Sequence, residues 1–306
     1  MSTRPESDPK PSPRPKTTIL TLGEKRRRGE PITMLTAYDY PPARAVDAAG
    51  IDAILVGDSL AMVVLGHPNT LCVTMDEMLH HAKAVSRGSH SALLIGDMPF
   101  MSYQADPAEA VRNAGRFLQE AGMDAVKLEG GAPYADTVRA ITRAGIPVQG
   151  HIGLTPQSVN ALGGWRVQGR TAEAARTLLN DALALQEGGC FSLVLESLPH
   201  RLGSYITERL SIPTIGIGAG PGTSGQVLVI HDVLGRYDKF TPKFAKRYAD
   251  LAQAEGAAIE AYRDEVIGGR FPTREHSYAI PEEEWNAFLV SLGNTRLAGA
   301  SEGKAR

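Results

Sequence analysis

Ile51-Asp52-Ala53-Ile54-Leu55-Val56-Gly57-Asp58-Ser59-Leu60 is an apolar run that stops at a glycine and then presents an aspartate and a serine. A short continuous run of this kind reads as a strand buried on both faces, as in a parallel sheet. The design recurs. Ala92-Leu93-Leu94-Ile95-Gly96-Asp97 ends in Asp97, and Ala125-Val126-Lys127-Leu128-Glu129-Gly130-Gly131 carries Lys127 and Glu129. A buried strand that closes on a bare carboxylate suggests a site, and three of them suggest a shared one.

Outward from these, strands are expected at 32–37, 53–56, 92–96, 125–128, 147–151, 191–195, 213–218 and 226–230. Helical patterns lie between many of them, at 40–49, 75–87, 107–121, 134–144, 171–186 and 204–210, with a long final helix at 243–262 and a short one after Pro281. Their ends carry physical signals. Thr74 with Glu77 makes a capping box, Asp106-Pro107 caps and opens a helix, and Gly122 ends it. Alternation of strand and helix implies a parallel sheet with right-handed crossovers. Eight strands fit an α/β fold of the (β/α)8 TIM-barrel type better than a doubly wound sheet. In a barrel the residues at the strand ends, Asp58, Asp97, Glu129, His151 and Glu196, converge on one C-terminal mouth.

The chain has 306 residues, 42% of them hydrophobic, enough for one large core. A formal net charge of -2 gives no basic field for nucleic acid, and no apolar run reaches the ~20 residues of a membrane span. Cys72 and Cys190 stand far apart without a CxxC partner and read as reduced thiols. Residues 1–16, rich in Pro, Ser and charge with no apolar signal region, are expected to form a disordered arm. Residues 17–292 are expected to form the catalytic barrel with C-terminal helices, and 293–306 a flexible tail. The run Lys25-Arg26-Arg27-Arg28 is expected to be a solvated helix face.

Strand parity sorts the chemistry. Lys127 and Glu129 share one face of their strand, Leu93, Ile95 and Asp97 one face of theirs, and Ser192, Val194 and Glu196 one face of theirs. Asp58, Asp97 and Glu129 make an all-oxygen set of the kind that suits Mg2+ rather than Zn2+; the bland alternative is that each acid pairs with an arginine or caps a helix. Lys127 inside a barrel needs a partner. It reads best as an anion-binding lysine, with a Schiff base or a structural ion pair to Glu129 or Asp97 as alternatives. Glu196 follows only apolar residues on its strand face, and partial desolvation would raise its pKa toward a general base's range; the alternative is pairing with Arg201 or Arg166. His151 is a possible supporting residue. The literal GxGxxG at Gly220–Gly225 leads into a strand and not a helix, so it is not a dinucleotide site. The neighbouring glycines, Gly216, Gly218 and Gly220, are expected to let a ligand approach the backbone.

These motifs together resemble one family. Met34-Leu35-Thr36-Ala37-Tyr38-Asp39-Tyr40, Leu55-Val56-Gly57-Asp58-Ser59-Leu60, Gly66-His67, Asp97-Met98-Pro99-Phe100-Met101, Val126-Lys127-Leu128-Glu129-Gly130-Gly131, Gly150-His151-Ile152-Gly153-Leu154-Thr155-Pro156-Gln157-Ser158, Val167-Gln168-Gly169-Arg170 and Ile215-Gly216-Ile217-Gly218-Ala219-Gly220 occur in the order seen in the ketopantoate (3-methyl-2-oxobutanoate) hydroxymethyltransferases. The resemblance spans about residues 17–277. It implies a (β/α)8 barrel, Mg2+, and one-carbon transfer from 5,10-methylenetetrahydrofolate to 3-methyl-2-oxobutanoate, giving 2-dehydropantoate for pantothenate and coenzyme A synthesis. By matching motif it implies Asp58 and Asp97 as metal ligands, with Glu129 direct or through water. Asp58, Ser59, Asp97 and Lys127 would meet the keto acid, and Glu196 would accept the proton. It also implies a cytoplasmic homodecamer. Ala61 and Ser197 depart from the family's common residues and carry none of these roles. A metal-dependent carbon–carbon lyase of the phosphoenolpyruvate mutase/isocitrate lyase type is the enzyme alternative, but its cysteine-bearing loop has no counterpart in the chain. A barrel that only binds keto acid is the non-enzyme alternative.

Overall fold

The computed structural model describes residues 14–237 and 242–293. Eight parallel strands close into a barrel in chain order: β1 (Ile32–Thr36), β2 (Ala53–Val56), β3 (Leu93–Asp97), β4 (Ala125–Glu129), β5 (Val148–Gly153), β6 (Ser192–Glu196), β7 (Thr214–Ile217) and β8 (Gly225–Leu228), with β8 pairing back to β1. This is the expected (β/α)8 fold, each strand within a few residues of its expected place. Helices α1 (Ile19–Arg28), α2 (Tyr40–Ala48), α3 (Leu60–Val63), α4 (Met75–Gly88), α5 (Pro107–Ala121), α6 (Ala135–Arg143), α7 (Ala172–Gly188), α8 (His200–Arg209) and α9 (Ile230–Leu234) fill the remainder of this unit. The Thr74–Glu77 capping box forms, and Asp106 accepts from the Ala108 N–H. Gly122 takes the left-handed conformation, φ 66°, that its place at the end of α5 requires.

Two apolar cores result. One lies between strands and outer helices, around Ile54, Val56, Met78, Phe117, Val126 and Leu195. The other fills the barrel: Ile32, Met34, Ala53, Leu55, Leu93, Ile95, Val194, Ile215 and Val227. Leu22 of α1 belongs to this inner core, so α1 plugs the N-terminal end. That corrects the reading of the basic run as a solvated face. Arg26 donates to the carbonyls of Thr207, Ser211 and Leu210, and Lys25 lies 2.6 Å from Asp52; only Arg27 and Arg28 point to solvent. Arg14 and Lys16, at the end of the expected arm, also bind the barrel: Arg14 donates to the Gly50 carbonyl, and Lys16 pairs with Asp124 at 2.7 Å. The earlier residues of the arm and residues 294–306 of the tail lie outside the described residues.

The crossover from β7 to β8 has no helix, and this explains its glycines. A Cβ on Gly216 would sit 2.7 Å from the Thr223 hydroxyl, and one on Gly220 would sit 2.4 Å from His200. The chain's own packing therefore needs glycine at both positions. With no helix there, the outward residues Thr33 and Leu35 of β1 and Gln226 and Leu228 of β8 are exposed or half-buried, and a groove of about 1010 Å3 runs along them. The long helix expected from Lys243 begins later, as α10 (Leu251–Ile267). Phe244 lies before it and packs on the barrel's inner core. Residues from Leu251 onward form a second compact unit holding α10 and α11 (Glu282–Ser291).

Candidate active site

Register carries the chemistry to one level of the mouth. Asp97 at the end of β3 lies beside Lys127 of β4, Glu129 beside His151 of β5, and Glu196 beside Ile217. Asp58 and Ser59 follow β2, at the start of α3. All of them line one cavity of about 710 Å3 at the C-terminal mouth, so the expected residues do converge.

The acids are almost fully buried: Asp58 is 4% exposed, Asp97 1% and Glu129 2%, with Lys127 at 3%. Lys127 Nζ donates to Asp97 Oδ1 at 2.7 Å and lies 3.5 Å from Glu129 Oε1. The ion-pair alternative for Lys127 is thus present, whatever else the ammonium does. Burial works against its charge, but Asp97, Glu129 and Asp58 outweigh burial and push its pKa up. The Asp58 amide donates to Asp97 Oδ2 at 3.1 Å, tying the ends of β2 and β3 together.

Lys127, even with His151 beside it, does not balance Asp58, Asp97, Glu129 and Glu196. Burial, then the charges of Asp97 and Glu129, push Asp58 well above the usual carboxylate range. Burial also raises Asp97, with Glu129 adding and Lys127 opposing. Glu129 goes down, because Lys127 and then His151 overcome burial. Glu129 Oε1 is buried without a well-aligned hydrogen bond. A cluster with surplus negative charge and oxygen donors fits a hard divalent cation. Among the described residues no three acids, histidines or cysteines close into a ready-made metal cage.

His151 is 2% exposed; its Nδ1 lies 3.3 Å from Glu129 Oε1 and its Nε2 3.2 Å from Glu196 Oε2. Neither contact is well aligned as a hydrogen bond. Burial and Lys127 act to lower its pKa, but the two glutamates win and raise it to about 9. Glu196 therefore meets His151, not Arg201 or Arg166. Its side chain is 14% exposed against 2% for Glu129, so it faces the cavity. Ser197, the next residue, has φ 51°, a left-handed turn that is strained for a residue with a side chain and ends β6 sharply.

Ser59 Oγ shares a 2.8 Å hydrogen bond with the Tyr38 hydroxyl. Sequence reasoning gave Tyr38 and Gln157 no role, although both lie in quoted motifs. Gln157 Nε2 donates to Asp58 Oδ2 at 3.0 Å and to the Met98 carbonyl at 2.9 Å, while its backbone N–H donates to Glu129 Oε2 at 2.9 Å. Tyr103 donates to Gln157 Oε1 at 2.9 Å and accepts from the Glu129 N–H at 3.1 Å. Gln157 thus holds two of the acids from outside. An amide with no charge and no helical or strand pattern around it gives no signal in sequence.

The chain matches the model of the ketopantoate hydroxymethyltransferase family over residues 16–274. It is 58% identical over 265 residues to the 3-methyl-2-oxobutanoate hydroxymethyltransferase of Moorella thermoacetica, covering 87% of this chain and 98% of that protein. It is 59% identical over 266 residues to that of Syntrophobacter fumaroxidans, covering 87% and 93%. Among solved structures it is similar to a phosphonopyruvate hydrolase in complex with oxalate and Mg++, with TM-score 0.57, 14% identity, and 92% and 99% of the two chains covered. It is also similar to 2,3-dimethylmalate lyase, a PEP mutase/isocitrate lyase superfamily member, with TM-score 0.54, 18% identity, and 90% and 96% covered. At those identities only the fold is shared.

Proposed function

The chain belongs to the ketopantoate hydroxymethyltransferase family, and from that premise we propose that it makes 2-dehydropantoate from 3-methyl-2-oxobutanoate, with 5,10-methylenetetrahydrofolate as donor and Glu196 as base. The observation that carries the reading is the division of the mouth. Asp58, Asp97 and Lys127 gather at the ends of β2 to β4, and Glu196, backed by His151, faces the same cavity from β6.

Asp58 and Asp97 would hold Mg2+, with Glu129 direct or through water. When bound, the ion supplies Lewis-acid stabilisation of the charge that develops on the keto oxygen. Lys127 neutralises part of the charge of the substrate carboxylate, and Ser59, fixed by Tyr38, donates to it. Glu196 takes the proton from C3 of the keto acid, and His151 holds the carboxylate in position for that transfer. The enolate carbon attacks the donor's methylene; the carbon–carbon bond forms as a carbon–nitrogen bond to the folate breaks. Water then breaks the second carbon–nitrogen bond and supplies the hydroxyl of the new hydroxymethyl group, and the two folate nitrogens take up one proton from that water and one from C3 by way of Glu196. The buried walls keep bulk water from the enolate.

A homodecamer and a cytoplasmic location belong to the same proposal. No helix among the described residues is long and apolar enough to cross a membrane. The deciding experiment is formation of 2-dehydropantoate by the purified chain with the folate donor, with and without EDTA. Product that needs both donor and divalent cation supports the reading; product formed equally in EDTA removes the metal from it.

A further inference from the structure

The charged residues occupy only part of the mouth. From β2 round to β6 the rim is acidic, with Lys127 and His151 between the acids. From β7 through β8 the wall is largely apolar, made by Ile217, Val227, Val229 and Phe244, with Tyr237 and Lys243 beside them. Phe244 is pressed onto the end of β7: a Cβ on Gly218 would meet its ring at 2.8 Å. At about 710 Å3, the cavity is far larger than a five-carbon keto acid needs.

This apolar side contains one carboxylate, Asp232, in α9 just beyond β8. Asp232 is 7% exposed, yet among the described residues nothing hydrogen-bonds to its carboxylate. Burial pushes its pKa up to about 6, and the charge of Arg247 opposes this. Asp232 also lies near the keto-acid side, because its charge and that of Asp58 both act on the Tyr38 hydroxyl that holds Ser59. A buried acceptor that opens onto a ligand cavity and has no donor among the described residues calls for a donor from the ligand.

We propose that Asp232 is the residue that recognises the pterin ring of the folate co-substrate, accepting two parallel N–H bonds from its 2-amino group and N3 while the ring lies against Val229 and Phe244. This rests on the folate reading above and extends it to a specific residue. The chemistry follows from shape and donor count. A 2-amino-4-oxo pteridine is flat, has apolar faces, and carries adjacent N–H donors on one edge. A carboxylate accepts such a pair in a fork, and each bond is charge-assisted. Those bonds favour the ionised carboxylate and so offset the cost of its burial.

The test compares two ligands on two proteins. Dissociation constants are measured by calorimetry for tetrahydrofolate and for its 2-desamino-2-methyl analogue, on the full-length chain and on Asp232→Asn, with keto acid present. The wild type should prefer tetrahydrofolate by about 10- to 100-fold, as loss of charge-assisted hydrogen bonds implies. In Asp232→Asn the preference should fall to within about threefold. A merely structural role would weaken both ligands alike and leave their ratio unchanged, which would overturn the proposal. If Asp232→Asn does not fold, the wild-type ratio decides, and a ratio near one overturns it. Deuterium exchange at C3 of the keto acid without folate is read in parallel on the wild type. Absence of exchange removes the Glu196 reading but leaves the ligand comparison intact, so the two failures are distinguishable.

Discussion

His151 stands between two glutamates: its Nε2 is 3.2 Å from Glu196 Oε2, and its Nδ1 is 3.3 Å from Glu129 Oε1. One imidazole thus joins the acid proposed as base to the acid that completes the metal-side cluster.

Glu196→Gln removes the proton acceptor and preserves size. It should still bind 3-methyl-2-oxobutanoate but exchange C3 hydrogen for deuterium about 10²- to 10⁴-fold more slowly, the usual contribution of a positioned base. Mass spectrometry of the recovered keto acid measures the rate. Exchange near the wild-type rate removes Glu196 from the role.

His151 supplies an alkaline limit. Its folded pKa is raised to about 9 from an ordinary 6.5, so its charged form is favoured in the native state. The stabilisation is full below the unfolded value and is lost as pH rises through about 9. Exchange activity should therefore fall above that pH as Glu196 loses its cationic partner. His151→Gln should lower the rate by roughly tenfold and flatten this limb. A pH profile in the variant that keeps the wild-type limb assigns it to another group.

Asp58 ties metal binding to a stability cost. Its folded pKa is raised by burial and by Asp97 and Glu129. A raised carboxylate favours the protonated native state, so stability falls as pH rises above the unfolded value of about 3.9. In EDTA, Asp58→Asn should melt higher than the wild type at pH 7, and the two should converge at low pH. With Mg2+ the order should reverse, because only the wild type gains from the ion. Melting curves at both pH values decide it; a lower melting point for Asp58→Asn in EDTA overturns the surplus-charge account.

The contrast between what the sequence showed and what it hid has a physical basis. Asp58, Asp97, Lys127, Glu129 and Glu196 were legible because each interrupts or ends an apolar run, and strand parity fixes which residues share a face. The barrel was legible because strand and helix alternate. Arg26 was misread because a basic run looks alike whether it meets water or the carbonyls at the end of α8; only the closed barrel brings those carbonyls to α1. Asp232 was passed over because it sits inside a short helix, where an acid in the first turn is ordinary. The crossover without a helix between β7 and β8 was legible too, because the glycine-rich stretch at 220–225 leads straight into an apolar run.

Gln157 provides the last prediction, because it is neutral and touches both sides of the metal cluster. Its side chain donates to Asp58 Oδ2 at 3.0 Å, and its backbone to Glu129 Oε2 at 2.9 Å. Gln157→Leu keeps the backbone bond but removes the side-chain bonds to Asp58 and the Met98 carbonyl, and strips Tyr103 of one acceptor. Asp58 then loses a donor that favours its ionised form, so its pKa should rise further and its affinity for a cation should fall. Outer partners of metal ligands typically affect binding by about 10- to 100-fold, so the variant should need that much more Mg2+ for half-maximal activity. At saturating Mg2+ the C3 exchange rate should return to within a few-fold of wild type, because Glu196 and His151 are untouched. Gln157→Glu adds a fourth buried acid and should lower the melting point in EDTA more than Gln157→Leu does. A Mg2+ titration that is unchanged in Gln157→Leu would show that Asp58 does not depend on this amide to hold the ion.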